Sequence, residues 1–414
     1  MVYQPPVGSK DLFPLDVAQK RWIEERIQQV FHGWGYHRII TPTLERLDAL
    51  MAGGAIEQAT VFQLQDSEGD TLGLRPELTA SIARAAVTRM AGASYPQRLY
   101  YNANVFRRAA KGTHSRQQEF YQAGVELLGA TGVAANAEIL LILADCLRNL
   151  GLESSSLVLG EAGLTRSLLS AFPATLQEQV REAIATLDRI TLETLPLSPE
   201  LRDRALLLLD LRGQPSDVLQ RVSSLDLDPT QRTAVNDLKA LMDLLQDSYS
   251  QQGNLDAAAP FSLPTIVLDL SLIQTIDYYT GIVFEVVGPS GQRILGQGGR
   301  YDQLLSLYHP QGQTCSGIGF VFNIEELQQV LLASGQLPLE TPANDWLVVP
   351  THAKAYAAAF AHAQKIRESA HLVRVEVELQ SLDDPEAIRG AARQRQIKQI
   401  AWVDEQGLSR IEAV

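Results

Sequence analysis

The sequence predicts an α+β fold followed by a small α/β domain, and three observations support this prediction. Helix and strand patterns are mixed in the first third of the chain. Residues 150–257 are rich in leucine at helical spacing, and residues 346–414 contain the order strand, helix, strand, helix, strand. The 414 residues suffice for two or three domains whose cores need no disulfide or metal.

The first third contains four predicted parts. Apolar residues at helical spacing indicate an amphipathic helix over 17–34 that ends near Gly33 and Gly35. A strand is predicted over 36–40, two strands joined by a polar turn over 61–74, and a helix from about Leu78.

Changes in composition divide the rest of the chain into a leucine-rich helical part, strand segments, a linker and a C-terminal domain. A helical insert is predicted over about 150–257, within a first domain that spans 1–330. The remaining predicted parts, in order, are strands over 265–270 and 281–287, a Pro-rich linker over 337–345 and a C-terminal domain over 346–414.

The charge and the cysteines argue against several classes of protein. The chain carries 35 Lys and Arg against 48 Asp and Glu, a formal charge of −13, which disfavours a main role in binding nucleic acid. Cys146 and Cys315 have no metal-binding spacing, and we expect neither a metal site nor a cofactor. The N-terminus has no leader pattern and no run of about 18 apolar residues occurs, so we expect a cytoplasmic protein without a membrane span.

The segment LRPELTAS, residues 74–81, is the first candidate site. It places Glu77 and Thr79 at the predicted start of a helix. Two interpretations stay open: the side chains bind free backbone N–H groups at the helix start, or they face a ligand.

The second candidate is a predicted hairpin over 105–129 with a basic loop. Its basic residues are Arg107, Arg108, Lys111 and Arg116. Such a loop is either a solvated turn or a site for an anion such as a nucleotide phosphate. On the second arm, every second side chain points to the same face of the strand. That face carries one aromatic residue together with polar residues and a glycine, which suits a ligand pocket better than a dry core. This set is Phe120, Gln122, Gly124 and Glu126.

Two later segments carry tyrosines. IDYYTGIVFEVV, residues 276–287, contains Tyr278 and Tyr279, and GQGGRYDQLL, residues 296–305, has Tyr301 after a glycine cluster. Core packing with a locally bonded hydroxyl is the alternative to a ligand site. The glycines allow close backbone approach, but no P-loop GKS or GKT follows them.

Taken together, these segments resemble the histidyl-tRNA synthetase family over residues 1–330. The similar segments are GSKDLFP (8–14), TPTLE (41–45), LRPELTAS (74–81), FRR through EFYQAGVELLG (106–129), IDYYTGIVFE, GGRYDQLL and GIGFVFNIEEL (317–327). The resemblance implies the class II aminoacyl-tRNA synthetase fold, a six-stranded antiparallel sheet flanked by helices, built as a dimer with motif one near Pro42 at the interface. It also implies that residues 346–414 are a truncated domain similar to the anticodon-binding domain.

By this resemblance, the histidine pocket of the family is kept. The predicted histidine-binding residues are Glu77, Thr79, Gln122, Glu126, Tyr278, Tyr279 and Tyr301. The resemblance implies that the first two face the ammonium group of histidine and that Gln122 faces its polar backbone end. Glu126, Tyr279 and Tyr301 are expected at the imidazole, whose two nitrogens need acceptor and donor partners.

The residues with which the family handles ATP are largely changed. Gln274 stands where an arginine supports adenylate formation, Ala109 replaces a glutamate of motif two, and Glu326 replaces an arginine of motif three. Arg107 is kept, and with Arg116 it is a candidate for residual anion contacts. Glu326 is expected to reverse a charge beside the triphosphate, so we expect no catalytic residues.

A kept amino-acid pocket beside an altered adenylation site resembles the ATP phosphoribosyltransferase regulatory subunits, which are synthetase-like paralogues of histidine biosynthesis. That resemblance implies a non-catalytic subunit that joins a short-form catalytic subunit in a hetero-oligomer, permits its activity and transmits inhibition by L-histidine. The expected mechanism is allosteric: closure around Glu126 and Tyr279 shifts the contact with the catalytic subunit.

Two other functions stay open. An active, divergent histidyl-tRNA synthetase would catalyse histidine-dependent ATP–pyrophosphate exchange, and the residues at 274 and 326 argue against it. A synthetase-like sensor of uncharged tRNA would bind tRNA, which the net charge and the expected truncation disfavour. The basic residues near the C-terminus are explained equally well by a solvated helix; they are Arg389, Arg393, Arg395 and Lys398.

Overall fold

The structure is a computed structural model that describes residues 4–54, 56–108, 117–255, 263–272, 278–370, 372–380 and 384–414. The chain divides into two compact units, Met1–Leu337 and Pro338–Val414. None of the helices in the described ranges combines the length and the apolar character of a membrane span.

The strands of the first unit belong to two sheets. In chain order they are β1 His37–Arg38, β2 Leu44–Arg46, β3 Gln63–Gln65, β4 Thr71–Leu74, β5 Gln97–Phe106, β6 Glu119–Leu128, β7 Ser156–Glu161, β8 Arg212–Gly213, β9 Thr265–Asp269, β10 Ile282–Val287, β11 Ile294–Arg300 and β12 Gly317–Asn323. The small sheet has the order β2-β4-β3, and its β3–β4 pair forms the two strands and polar turn predicted over 61–74.

The large sheet has nine strands in the order β1-β5-β6-β12-β11-β10-β7-β9-β8. The six strands from β5 to β7 in this order all pair antiparallel, as the synthetase resemblance implies. The sheet is wider than expected because β1 joins β5 in parallel at one side, and β9 joins β7 in parallel at the other, followed by β8. The predicted α+β class is confirmed.

The helices of the first unit pack on both faces of this sheet. They are α1 Pro14–Gly33, α2 Leu47–Met51, α3 Thr79–Val87, α4 Gly132–Asn149, α5 Ala162–Leu169, α6 Ala174–Ala185, α7 Arg189–Thr194, α8 Pro199–Asp210, α9 Pro215–Ser223, α10 Pro229–Leu255, α11 Leu304–Tyr308 and α12 Ile324–Ala333. A 3₁₀ turn covers Gln58–Thr60. In α1, the predicted helix, Ile23, Ile27 and Phe31 recur every four residues and are buried along one side.

The prediction of a helical insert over 150–257 is wrong in part, because this range contributes β7 and β8 to the large sheet. β7 pairs antiparallel with β10 in the middle of the molecule. Leu157 and Leu159 are buried and alternate with partly exposed neighbours, as in a strand. The high leucine content of the following helices obscured this short alternation.

The sheet separates two hydrophobic cores. The larger core packs α1, α4 and the helices from α5 to α10 against one face, which we call the first face; Phe31, Val125 and Leu143 belong to it. The smaller core packs α3 and α11 against the opposite, second face and includes Ile82 and Leu305. Because side chains alternate along a strand, β6 sends Val125 to the first face and the next residue to the second.

Partly buried polar contacts connect α4 to β5 and to the residue before β1. Arg98 on β5 donates two hydrogen bonds to the Glu138 carboxylate, at 2.8 and 2.7 Å. The Tyr36 hydroxyl donates to the same carboxylate at 2.9 Å. These charge-assisted bonds fix α4 relative to the start of the sheet.

The second unit contains a sheet of four strands in the order β14-β13-β15-β16. Its elements are β13 Trp346–Pro350, a 3₁₀ turn Ala353–Ala355, α13 Tyr356–Ser369, β14 Val375–Val377, α14 Pro385–Gln394, β15 Gln399–Val403 and β16 Ser409–Ala413. β13 pairs in parallel with β14 and β15, and β16 adds one antiparallel strand to the predicted order.

Three of the four basic residues near the C-terminus are ion-paired within this unit. The pairs are Arg389–Glu412 at 2.7 Å, Arg395–Glu378 at 3.1 Å and Lys398–Asp345 at 2.9 Å. Their charges are balanced by neighbouring carboxylates, which agrees with the interpretation of these residues as part of a solvated surface.

Candidate functional site

A cavity of about 470 Å³ lies on the second face of the large sheet, beside the start of α3. All seven predicted histidine-binding residues line it, although they come from four segments far apart in the sequence. These lining residues are Glu77, Thr79, Gln122, Glu126, Tyr278, Tyr279 and Tyr301, and Arg107 lines the cavity with them. The structure therefore brings the whole predicted set together, and its binding of histidine stays a prediction.

Glu126 on β6 is the most enclosed acid of this cavity, with 2% of its surface exposed. The Thr79 hydroxyl donates to Oε1 at 2.8 Å, and the Tyr301 hydroxyl donates to Oε2. Burial raises the pKa of Glu126 to about 8, and the two hydrogen bonds oppose this shift. A carboxyl with such a pKa exchanges its proton near neutral pH, which suits a partner that titrates in the same range, such as imidazole.

Glu77 caps the start of α3. Its carboxylate accepts hydrogen bonds from the backbone N–H groups of Thr79 at 2.7 Å and Ala80 at 2.8 Å. Burial raises the pKa of Glu77, while these bonds and the charge of Arg107 work against the shift. These bonds support the first interpretation of this segment; the carboxylate also lines the cavity, and its contact with a ligand stays a prediction.

The tyrosines form one wall of the cavity. The ring of Tyr278 meets Tyr279 and Tyr301 edge to face, with centroids 5.1 and 5.8 Å apart. Burial raises the pKa of all three hydroxyls, so they stay protonated and act as hydrogen-bond donors. Tyr101 on β5, which sequence reasoning missed, lines the same cavity.

Gln122 lies where β6 meets β12. It stands opposite Asn323 in the strand pair, and its Nε2 donates to the Asn323 side-chain oxygen at 3.4 Å. This bond is long, so the buried amide keeps hydrogen-bonding capacity for a polar ligand group.

Glycines make room for the cavity side chains. Gly319 on β12 pairs with Glu126, and a Cβ at this position would collide with the Glu126 carboxylate. A Cβ on Gly299 would lie 2.7 Å from the Tyr279 ring. The cluster at 296–299 drew attention to close backbone approach, whereas Gly319 was missed although the GIG sequence carries the same signal.

The other end of the cavity is basic. Arg107 donates from Nε to the Pro76 carbonyl at 2.7 Å, and burial lowers its pKa while Glu77 opposes that shift. Arg108 also lines the cavity, with its guanidinium 5.3 Å from the centre of the Phe62 ring. Arg107 thus lines the cavity, and its contact with an anion stays a prediction.

Most of the residues predicted at the altered adenylation site lie outside the described part of the chain. Ala109, Lys111, Arg116 and Gln274 lie outside the described residues. Glu326 is described, but the described lining does not include it, and its Oε2 accepts from Arg293 at 2.6 Å. Its charge is therefore paired within the chain, and the expectation that it reverses a charge beside a triphosphate stays a prediction.

Comparisons with known proteins extend these observations. The family model for histidyl-tRNA synthetase matches residues 8–327. The ATP phosphoribosyltransferase regulatory subunits of Trichormus variabilis and Nostoc punctiforme are each 64% identical, over the whole of both chains.

Solved structures agree. A Bacillus halodurans protein described as an ATP phosphoribosyltransferase regulatory subunit/histidyl-tRNA synthetase has a TM-score of 0.80 at 26% identity, covering 98% of this chain and 99% of its own. A histidyl-tRNA synthetase from a Nostoc species has a TM-score of 0.78 at 18% identity, covering 100% of this chain and 97% of its own, and supports the fold alone. These matches confirm the resemblance inferred from the sequence.

Proposed function

The chain belongs to the family of ATP phosphoribosyltransferase regulatory subunits, and from this membership we propose that it binds L-histidine and transmits feedback inhibition to a separate catalytic subunit. The family's name implies a catalytic partner and a role in histidine biosynthesis. The partner that we propose is a short-form subunit without a regulatory domain of its own. The match to relatives over their full length supports a role for both units of the chain.

One observation carries the histidine proposal: Glu126, enclosed and hydrogen-bonded by Thr79 and Tyr301, lies in a cavity with the other six predicted residues. An imidazole beside this carboxyl gains a charge-assisted hydrogen bond, and the protonated tyrosine hydroxyls supply donors for its second nitrogen. Glu77 supplies negative charge for the ammonium group.

The proposed mechanism is a change of conformation without a chemical step on this chain. The cavity is assembled from α3, the large sheet and the Tyr278–Tyr279 segment, so a ligand that contacts all of them favours their closed arrangement. Closure then alters the contact with the catalytic subunit. By reciprocity, binding of that subunit changes the affinity for histidine by the same factor.

The proposal includes the loss of adenylation. The family's regulatory name agrees with a non-catalytic role. Gln274 and Ala109 replace the residues that the synthetase family uses with ATP, and Glu326 replaces a third. Arg107 remains, and we propose that it contributes positive charge to the cavity without supporting catalysis.

The test is the phosphoribosyltransferase rate of a purified short-form catalytic subunit, measured alone, with this chain, and with this chain plus L-histidine. We expect activation by the chain and inhibition by histidine. If an intact catalytic subunit is not activated, the proposal fails. Histidine-dependent ATP–pyrophosphate exchange by the isolated chain would then identify it as a synthetase.

A variant pair assigns the inhibition to the cavity. Glu126→Gln removes the carboxylate without changing the side-chain size, and Glu182→Gln makes the same change at an exposed position on α6. We expect the first variant to need about tenfold more histidine for inhibition, since a hydrogen bond to a charged group is lost, and the second to match the native chain. Loss of assembly with unchanged histidine sensitivity would contradict the site assignment.

We also propose that two copies of the chain associate through the surface around Pro42. Ile40 is 79% exposed beside it and Leu44 is 45% exposed, which supports burial of this surface in a dimer. Ile40→Glu is expected to shift the mass measured by light scattering from dimer to monomer; an unchanged mass would refute this interface.

The proposed partner is an enzyme of amino-acid biosynthesis, and the expected cytoplasmic location belongs to the same proposal.

A further inference from the structure

A second cavity of about 580 Å³ lies on the first face of the large sheet. It is lined by the starts of α4, α5 and α10, the end of β11 and the residues just before β10. Its described lining shares no residue with the first cavity. It is large enough for a molecule the size of an amino acid.

Arg300 supplies the positive charge of this cavity. The residue is 6% exposed; its Nε donates to the Asn136 side chain at 2.9 Å and its Nη1 to Asp302 at 3.0 Å. Among the described residues, its buried Nη2 has no hydrogen-bond partner. A buried guanidinium nitrogen without an acceptor is unfavourable. Arg300 lines the cavity, so its positive charge favours a ligand that brings an acceptor oxygen.

The start of α4 adds hydrogen-bond donors. This helix has 18 residues, and its N-cap residue Thr131 makes no side-chain capping bond. Gly132 and Val133, the first two helical residues, line the cavity. The N–H groups of an uncapped first turn attract an oxyanion. The start of α5 differs, because Glu161 already accepts from the Leu164 N–H there.

Acidic side chains of the lining determine the net charge of the ligand that the cavity favours. Glu161, Asp237 and Asp302 all line the cavity, so three carboxylates stand against one guanidinium. They repel a multiply charged anion such as phosphate and attract a cationic group. Asp237, exposed on α10, is available to such a group, whereas Asp302 is bonded to Arg300.

We propose that this second cavity binds a small amino-acid-like zwitterion, with its carboxylate at Arg300 and the start of α4 and its ammonium group at Asp237. The proposal goes beyond the histidine site and does not depend on it, because the two cavities are lined by different residues on opposite faces of the sheet.

The test is isothermal titration of the full chain with glycine, the smallest amino-acid zwitterion, and with acetate and methylammonium as its separate halves. We expect saturable glycine binding and about tenfold or greater weakening for each half, since one charged contact is lost each time. Asp237→Asn is expected to weaken glycine binding about tenfold. The matched control Asp243→Asn, exposed on the same helix outside the described lining, is expected to leave it unchanged.

A first-cavity variant separates the two sites. Gln122→Ala is expected to leave glycine binding unchanged, and histidine inhibition is expected to survive in Asp237→Asn. The proposal is overturned if glycine does not bind saturably, if its binding responds to Gln122→Ala but not to Asp237→Asn, or if inorganic phosphate binds more tightly than glycine. A response to Gln122→Ala would place glycine in the first cavity, whereas the histidine proposal is tested separately by the inhibition assay.

Discussion

Replacing Glu126 with Gln should change how the stability of the chain depends on pH. Glu126 is 2% exposed and its pKa is raised from 4.5 to about 8. Between these two values the folded chain holds a proton that the unfolded chain releases. Stability is therefore greatest below the lower value and falls as pH rises towards the upper one.

The magnitude follows from the size of the shift. Each pKa unit corresponds to about 1.4 kcal/mol, so ionising Glu126 within the fold costs at most about 5 kcal/mol. Gln has nearly the same volume and no charge, so the variant avoids this cost. At about pH 9 we expect Glu126→Gln to be more stable than the native chain by several kcal/mol, less about 1 kcal/mol for a weakened hydrogen bond. At about pH 5 the two should be nearly equal.

Urea unfolding at a series of pH values measures this difference. The native chain should lose free energy of unfolding as pH rises through this window, and Glu126→Gln should lose much less. Glu182→Gln, the same substitution on the exposed side of α6, controls for the loss of one charge. Equal pH slopes for the Glu126 variant and the native chain would refute the conclusion that burial holds this proton in the folded state.

Three further substitutions probe the same framework. Gly319→Ala forces a Cβ against the Glu126 carboxylate and should destabilise the chain by about 1–3 kcal/mol, whereas Gly33→Ala, with no atom within 4 Å of its Cβ, should be neutral in the same urea assay. Tyr301→Phe removes a donor to Glu126 and should raise the pKa of that carboxyl further, so the loss of stability with rising pH should continue to higher pH than in the native chain; a loss that ends at lower pH would contradict this. Glu138→Ala leaves a buried hydroxyl and a guanidinium without their acceptor and should cost about 1–3 kcal/mol by thermal or urea unfolding; an unchanged midpoint would contradict it.

Local patterns predicted many elements because short-range physics determines them. The apolar spacing over 17–34 predicted α1, and the alternation after Glu119 predicted the β5–β6 hairpin and the face on which Glu126 lies. In both cases the buried side is visible in the sequence itself, as a helical or a two-residue period.

The errors arose where the determinants are distant in sequence. β7 was predicted as part of a helical insert because its leucines resemble those of the helices that follow, and only pairing with β10 makes it a strand. The short edge strand β8 likewise depends on a partner far along the chain. Strand identity is set by such tertiary pairing more than by local preference.

The residues of the candidate site likewise fall into those that the sequence identified and those that it did not. Residues with distinctive chemistry in distinctive segments, such as Glu77 and Tyr279, were identified from the resemblance. Tyr101 and Gly319 were missed because their roles depend on how closely neighbouring strands approach each other. That distance cannot be read from any one segment of the sequence. The partner of Glu326 was also hidden, since Arg293 lies 33 residues away.

Arg300, Tyr301 and Asp302 face the two cavities in turn: the tyrosine lines one, and its two neighbours line the other. Their backbone is held from both sides, by Thr280 N–H to the Arg300 carbonyl at 2.8 Å and by Tyr301 N–H to the Gly317 carbonyl at 2.7 Å. Deleting or inserting one residue here is expected to turn the guanidinium towards the first cavity and the phenol towards the second. A single hydrogen-bond register thus determines which side chains line each cavity. A shift of this segment by one residue would change the side chains of both cavities together.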